Sequence, residues 1–254
     1  MKITMRIPTQ VYGFLEIEGE PTDLPEMEKL HKAYAEQKLP FKKGTFVEME
    51  TWTGEKIRYN EESHEYTDLD GNPLISGSQY AKSKEKPFDK EVIIPKTAKK
   101  LGLSTSIIDA MWSGNGKLSR DFGSAIHLAM ENWFRFRDHG TEYHTPKHPF
   151  LKNLVESYPK KDAIILPEVM VSSLRNKMVG QIDGVEILNL VAKTCNIIDF
   201  KSDASVKKNL PKHAIQLSFY AMILEKKGWT VEHLYIENFT DKWETYEVAK
   251  VPIT

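Results

Sequence analysis

The spacing of hydrophobic and polar residues divides the chain into a strand-rich front and a longer part in which helices and strands alternate. Apolar and polar residues alternate in the front, which is typical of strands with one buried face. Thr53-Gly54 and Asp70-Gly71 are turn pairs. A helical period from Asp23 to Gln37 ends before Pro40. The pattern predicts short strands at residues 2–7, 12–18, 46–53, 55–60 and 64–69.

The second part predicts a three-strand meander with helices before and after it. Helical spacing runs from Pro95 to Ser113, is broken by Gly114-Asn115-Gly116, and resumes from Ser119 to Arg137. The remaining elements are a short helix at 151–157, strands at 163–172, 177–188 and 195–201, a helix from Pro211 to Lys227, and strands at 231–239 and 243–250. This order predicts an α/β (α+β) fold, a mixed central sheet flanked by helices. We divide the chain into an appended N-terminal α/β module, 1–53, and a main domain, 54–254.

Composition places the chain among soluble globular proteins. Of its 254 residues, 40% are hydrophobic and 28% are charged. No apolar run approaches the roughly 18 residues that span a bilayer, and the first residues lack the apolar segment of a signal peptide. We therefore expect a cytoplasmic protein with no membrane partner. The single Cys195 excludes an internal disulfide and a four-cysteine iron–sulfur cluster.

The net charge of −1 conceals an uneven distribution. Residues 1–75 carry 9 Lys and Arg against 15 Asp and Glu, which leaves 26 against 21 in the remainder. Local basic patches decide phosphate binding more than net charge does, although lysine clusters are often only solvated faces. The basic clusters are Lys82, Lys84, Lys86 and Lys90; Lys96, Lys99 and Lys100; Lys117 and Arg120; and Lys207, Lys208 and Lys212.

Candidate chemistry begins with His127 in the predicted helix 119–137. Glu131 lies four residues later, so both side chains project from one helix face, and Gly123 leaves that face open one turn earlier. Alone, such a histidine is more often a satisfied structural residue than a ligand.

Three carboxylates and a lysine follow on predicted strands. Asp183 sits among strand hydrophobes before a glycine, and Glu168 lies on the preceding strand. A carboxylate there is costly to bury unless it is paired or bound to a cation, the alternative being a turn at Asp-Gly. Asp199 and Lys201 are two apart on a strand and share a face, as a surface salt bridge also would.

Together these residues have the chemistry of a divalent-metal site. One imidazole and several carboxylates suit Mg²⁺ or Mn²⁺, whereas a lysine holds a water or a phosphate oxygen. This is the equipment of phosphodiester hydrolysis.

The residues in this order resemble a known nuclease family. G-S-A-I-H127, G-Q-I-D183-G, I-I-D199-F-K201 and Q216-L-S-F-Y220 are similar to the motifs of the RecB-like branch of the PD-(D/E)-x-K nucleases. The upstream stretch R-Y-N-E-E-S-H-E-Y-T-D-L-D-G-N-P-L-I-S-G-S resembles the start of phage-encoded and mitochondrial genome-maintenance exonucleases of this branch. The resemblance covers about residues 56–225 and implies a restriction-endonuclease-like core.

The resemblance also implies roles for individual residues. It makes His127, Asp183 and Asp199 metal ligands together with the main-chain carbonyl of Phe200, and makes Lys201 the residue that positions the attacking water. Gln216 and Tyr220, one helical turn apart, would contact the DNA strand or brace Lys201; the alternative is an ordinary amphipathic helix. Glu131 and Glu168 are weaker candidates for metal ligands, being otherwise surface charges.

Two departures limit the resemblance. Ile182 precedes Asp183, where the PD of the family name denotes proline. The single Cys195 cannot hold the iron–sulfur cluster that some relatives bind through several cysteines. No phosphate loop of the form G-x-x-x-x-G-K-[ST] is present, so no helicase motor is expected.

The expected function is metal-dependent DNA exonuclease activity on single strands or strand ends, in replication, recombination or repair. A phage gene expressed in a bacterial cytoplasm would fit. Residues 1–53 would recruit a replication or recombination protein. Alternatives are a structure-specific endonuclease of the same fold and a nucleic-acid-binding module without turnover. Trp112 and the aromatic residues of W-F-R-F-R, 133–137, are candidates for base stacking, or else belong to the core.

Overall fold

A computed structural model describes residues 3–9, 13–19, 46–60, 63–85, 89–137, 146 and 148–253, with side chains from Phe46 onward except those of Asn115, Leu118 and Arg120. Its strands are β1 Ile3–Thr9, β2 Gly13–Gly19, β3 Phe46–Glu50, β4 Lys56–Asn60, β5 Glu65–Thr67, β6 Pro73–Ser76, β7 Ile165–Ser173, β8 Met178–Asn189, β9 Thr194–Lys201, β10 Thr230–Phe239 and β11 Trp243–Val248. Its helices, numbered over this part of the chain, are α1 Gly77–Ser83, α2 Lys90–Leu101, α3 Thr105–Phe136, α4 Pro149–Glu156 and α5 Val206–Lys226.

A nine-stranded mixed sheet forms the centre of the fold. Its strands follow the order β11-β10-β9-β8-β6-β5-β4-β3, and β7 pairs with β8. The pairs β9–β10 and β6–β8 are parallel, and the other pairs are antiparallel. The predicted meander, β7-β8-β9, and the helix-covered mixed sheet are thus confirmed.

Helices cover both faces of the meander. On one face α5 packs Leu217, Phe219 and Ile223 against a core that includes Ile182 and Ile197. On the other face, α3 and α4 pack Ile126, Met130, Phe134 and Leu154 against Ile198 and Phe200. Neighbouring residues of β9 therefore point to opposite cores, as the two-residue period of a strand requires.

The alternation reverses within β7 and β8, close to two of the candidate carboxylates. In β7, Ile165 packs in the α3 core, whereas Val169 packs in the α5 core, although both positions are odd-numbered. In β8, Ile182 and Val185 differ in parity but share the α5 core. Glu168, between Ile165 and Val169, has a φ of 52°, which is uncommon for a residue other than glycine. Because of this reversal, the side chains of Glu168 and Asp183, which lie between these residues, belong to neither core.

Three predicted helix boundaries are wrong. The helix predicted from Pro95 to Ser113 is two helices, because α2 begins at Lys90, includes Pro95 and ends before Gly102, whose φ of 67° is left-handed, and α3 begins at Thr105. Gly114-Asn115-Gly116 does not break the helix, because α3 continues from Thr105 to Phe136. A helical glycine costs only about 1 kcal/mol, which favourable neighbours offset. Pro211 does not open its helix, since α5 begins at Val206 and contains Pro211.

The front of the chain is described in part. The two predicted strands are present as β1 and β2, which pair antiparallel, and the predicted helix 23–37 lies outside the described residues. β3 pairs with β4 and so belongs to the large sheet. The division at residue 53 stays a prediction. In the described part of the chain, no helix has both the length and the apolar character needed to cross a bilayer.

Tyr220 of α5 occupies a slot that depends on two glycines. A Cβ atom at Gly77 or Gly180 would overlap the Tyr220 ring, and Tyr220 is 4% exposed. Because overpacking costs about 1–3 kcal/mol, we expect Gly180→Ala to lower the melting temperature by roughly 3–10 °C. Gly114→Ala is the matched control, since its Cβ would meet no atom within 4 Å and alanine favours a helix. Equal melting temperatures for the two variants in calorimetry would contradict the slot.

Candidate metal centre

The candidate site lies where the sheet splits between β8 and β9. The β8–β9 ladder runs as far as Gly184↔Ile198, and β6 pairs with β8 only at Met178 and Val179. The edge of β8 between these ladders is therefore unpaired in the described sheet. The Asp183 carboxylate accepts a hydrogen bond from the Phe200 amide at 2.8 Å, which satisfies a backbone donor that the split exposes.

Three side chains converge at this split. Asp183 Oδ2 lies 3.6 Å from His127 Nδ1, and Glu168 Oε1 lies 3.9 Å from the same nitrogen. One ligand atom from each of the three lies within 4.8 Å of the others. In the β7–β8 register Pro167 pairs with Gly184 and Val169 with Ile182, so Glu168 lies opposite Asp183. His127 reaches this pair from α3. Two carboxylates and an imidazole are a donor set that suits Mn²⁺ or Mg²⁺.

Asp199 and Lys201 form a second group beside the first. Lys201 Nζ lies 2.7 Å from Asp199 Oδ1 and donates to the Phe200 carbonyl at 3.1 Å. The predicted common face of Asp199 and Lys201 is confirmed. Asp199 is not one of the three clustered ligands, but its charge acts on Asp183. The structure thus brings His127, Asp183, Asp199, the Phe200 carbonyl and Lys201 into one region, with Glu168 in the cluster.

Sequence reasoning missed His213, which approaches Asp199 from α5. Its Nδ1 lies 3.8 Å from Asp199 Oδ2, and neither atom has a hydrogen-bond partner among the described residues. Burial lowers the pKa of His213, so the imidazole is neutral at pH 7. The only sequence signal was its spacing, three residues before Gln216 on one helix face.

Gln216 and Tyr220 face the split from α5. Gln216 Nε2 donates to the Tyr220 hydroxyl at 3.2 Å, and both residues line a cavity of about 320 Å³ together with Glu168 and Asp183. Their roles in binding or bracing stay predictions.

Other sequence candidates lie elsewhere. Glu131 accepts a hydrogen bond from Arg135 Nε at 2.9 Å and is not in the three-residue cluster. Phe134 and Phe136 are buried, and Phe134 packs against Tyr158 and Phe200. The stacking hypothesis is therefore wrong for these two rings, which belong to the core.

Some residues of the basic clusters are already paired. Lys90 lies 3.6 Å from Asp109, Lys117 lies 3.0 Å from Asp121, and Lys212 lies 3.1 Å from Glu85. Exposed pairs of this kind leave most of each charge open to solvent and contribute little to stability. Lys96, Lys99 and Lys100 are exposed along α2.

The electrostatics of the cluster favour a bound cation. The Asp183 carboxylate, with help from Glu168, raises the pKa of His127 to about 9 against the effect of burial. Burial raises the pKa of Asp183 to about 7, and the charge of Asp199 adds to this effect. Burial opposes the charge of Lys201, but Asp199 and Asp183 outweigh it and raise its pKa. A divalent ion would replace the protons that the cluster otherwise retains.

Metal affinity should therefore rise with pH. A ligating imidazole and carboxylate must lose their protons, so affinity falls as the pH drops through about 9 for His127 and about 7 for Asp183. We expect the Kd for Mn²⁺ to improve about tenfold per pH unit between pH 7 and 9, and more steeply below pH 7. Calorimetry in buffers of different ionisation enthalpy would count the released protons. A Kd that does not change from pH 6 to 9 would contradict this assignment.

Comparisons with known proteins do not assign this chain to a family. Neither a scan against models of protein families nor a search of curated proteins finds a match.

Proposed function

We propose that this protein is a metal-dependent DNA exonuclease that hydrolyses phosphodiester bonds on single strands or strand ends, in replication, recombination or repair. The observation that carries the proposal is the convergence of His127, Glu168 and Asp183 beside the Asp199–Lys201 pair. The proposal includes membership of the RecB-like PD-(D/E)-x-K nucleases, with β7, β8, β9 and the flanking helices α3 and α5 as a restriction-endonuclease-like core. It also includes a cytoplasmic location, in the bacterial host if the gene is phage-encoded, and recruitment of a replication or recombination protein through residues 1–53.

His127, Glu168 and Asp183 would hold Mg²⁺ or Mn²⁺, with Asp199 and the Phe200 carbonyl beside them. When bound, the ion supplies Lewis-acid activation of the phosphoryl group and of water. The donor set fits this role, because its atoms are close together and its carboxylates are hard oxygen ligands.

Lys201 would hold and orient the attacking water. Its Nζ is fixed at two points, by Asp199 Oδ1 and by the Phe200 carbonyl, so its position is set before substrate arrives. A preorganised ammonium group stabilises the negative charge that develops at phosphorus-bound oxygen without reorganising. Asp199 keeps the ammonium charged, as the raised pKa of Lys201 indicates.

Exposed lysines of α2 support a polyanionic substrate, and the hydroxyl and amide groups that line the cavity beside Glu168 and Asp183 are groups that contact a nucleic-acid backbone without reading sequence. No base-reading element is needed for this activity.

The test compares end-labelled linear and covalently circular single-stranded DNA with Mg²⁺ or Mn²⁺. We expect the linear strand to be shortened from an end and the circle to survive. Cleavage of the circles would mean that the protein is an endonuclease with the same site and not an exonuclease. Binding of both substrates without cleavage of either would favour the non-catalytic binding module.

A further inference from the structure

The cavity beside the metal cluster extends beyond the residues that the proposed reaction uses. The cluster residues Glu168 and Asp183 form one part of its wall. The rest of the wall is mostly hydroxyls, amides and one imidazole: Ser63, His64, Tyr66, Ser76, Ser78, Gln79, Gln181, Gln216 and Tyr220, with Gly180. His64 is the only histidine among them.

His64 is held in the wall by a specific arrangement at the turn between β4 and β5. Its φ of 52° lies in the left-handed region, where a side chain costs about 1–2 kcal/mol and glycine would fit without strain. Histidine, like asparagine, is enriched among the non-glycine residues that adopt this conformation, so the backbone permits a histidine here without requiring one. Ser63 N donates to Asn60 Oδ1 at 3.2 Å, which ties the residue before His64 to the end of β4.

Tyr59 fixes the imidazole itself. The Tyr59 hydroxyl and His64 Nδ1 share a hydrogen bond of 2.9 Å, and the Tyr59 ring stacks on Tyr66 with centroids 4.7 Å apart. When the Tyr59 hydroxyl donates to Nδ1, the ring proton is on Nε2, which can then donate to a ligand. An exposed imidazole that is both strained and oriented is preorganised for binding, because the cost of fixing it has been met in the folded protein.

We propose that His64 Nε2 donates a hydrogen bond to the phosphate next to the scissile phosphate, and so fixes the DNA strand against the metal cluster. This inference rests on the proposed nuclease function. His64 acts as a substrate-binding residue that sets the register of the strand, and Tyr59 is a positioning residue that acts through it.

The surroundings favour phosphate over a metal ion or a base. His64 is not in the three-residue cluster found among the described residues, so a ligand role there is not indicated. Serine, glutamine and tyrosine side chains are the groups that contact phosphate and sugar oxygens without reading sequence. The carboxylates of the cluster repel a phosphate until a cation is bound between them. A hydrogen bond from His64 to the next phosphate would therefore add an attraction that the cluster itself does not supply.

The first test uses His64→Asn and Tyr59→Phe. Asparagine tolerates the left-handed backbone, so the fold should be retained. We expect His64→Asn to raise the KM for single-stranded DNA about 5–20-fold, the loss of one hydrogen bond to a charged group, with a smaller rise for Tyr59→Phe. The Kd for Mn²⁺ and the melting temperature should not change. An unchanged KM for His64→Asn overturns the proposal, and so does a weakened Mn²⁺ Kd, because that would place His64 with the metal.

The second test locates the contact. A methylphosphonate, which removes one negative charge, replaces single phosphates on either side of the cleaved linkage. Binding is measured in a Lys201→Ala background, with and without His64→Asn. We expect one substitution to weaken binding in the His64 protein and to have little further effect in the His64→Asn protein. Equal losses at every position in both proteins overturn the phosphate contact.

The two proposals fail in different ways. If wild-type protein neither binds nor cuts DNA, the nuclease proposal fails and this inference fails with it. If wild-type protein cuts DNA and His64→Asn behaves identically, only the role of His64 is lost.

Discussion

Lys201→Ala is expected to slow DNA cleavage about 10²–10³-fold while Mn²⁺ and DNA still bind. The lysine contributes no metal ligand, so its loss leaves the three clustered ligands His127, Glu168 and Asp183 in place. What disappears is the ammonium group held by Asp199 and the Phe200 carbonyl, which acts on the transition state more than on bound substrate. The loss should therefore appear in kcat with little change in KM.

Single-turnover cleavage of end-labelled single-stranded DNA measures the effect. Lys242→Ala, an exposed lysine in the turn between β10 and β11, is the matched control and should cleave at the wild-type rate. Lys201→Arg should recover little activity, since a planar guanidinium cannot take the position of the compact ammonium. Normal cleavage by Lys201→Ala would remove this residue from the mechanism.

The strands of the meander were predictable because each is a short apolar run rich in β-branched residues, which is typical of strands buried on both faces. β7, β8 and β9 appear in the sequence within a few residues of their observed ends. Helix boundaries were less predictable. Gly114 and Pro211 are breakers by local propensity, yet α3 and α5 continue through them.

The parts of the site that lie on regular elements were also predictable. Asp199 and Lys201 follow the strand period, and their pairing at 2.7 Å was expected from spacing alone. Glu168 was a weaker candidate because its place in the cluster depends on the reversal of β7, which no period shows. Glu131 shares a helix face with His127, as the helical period predicts, but its carboxylate accepts a hydrogen bond from Arg135. Both His127 and Arg135 are four residues from Glu131, so spacing alone does not decide which of them the carboxylate approaches.

His213 was missed, and His64 was noted only as part of the upstream stretch without a role of its own, for a different reason. Each acts across a long separation in the chain, His213 toward Asp199 and His64 toward a cavity that residues from β8 and α5 complete. Only the folded sheet, split between β8 and β9, brings those residues to one place.

Asp183→Asn is expected to abolish the stabilisation that Mn²⁺ gives to the folded protein. At a free concentration 100 times its Kd, a ligand that binds only the native state adds about 2.7 kcal/mol, which raises the melting temperature of a chain of this size by roughly 5–10 °C. Asp183 is central to the cluster because it faces His127 and caps the Phe200 amide. An amide in its place keeps an acceptor for that amide but loses the charge that the ion requires.

Thermal unfolding of metal-free protein with and without added Mn²⁺ checks this expectation. Asp162→Asn, at an exposed position before β7, removes one negative charge away from the split and should retain the full shift. Lys201→Ala should retain it as well, which separates loss of the ion from loss of the water-positioning group. A full Mn²⁺ shift in Asp183→Asn would mean that the ion binds elsewhere. The carboxylates Glu168, Asp183 and Asp199 would then need another explanation, because their negative charges repel one another in the metal-free fold.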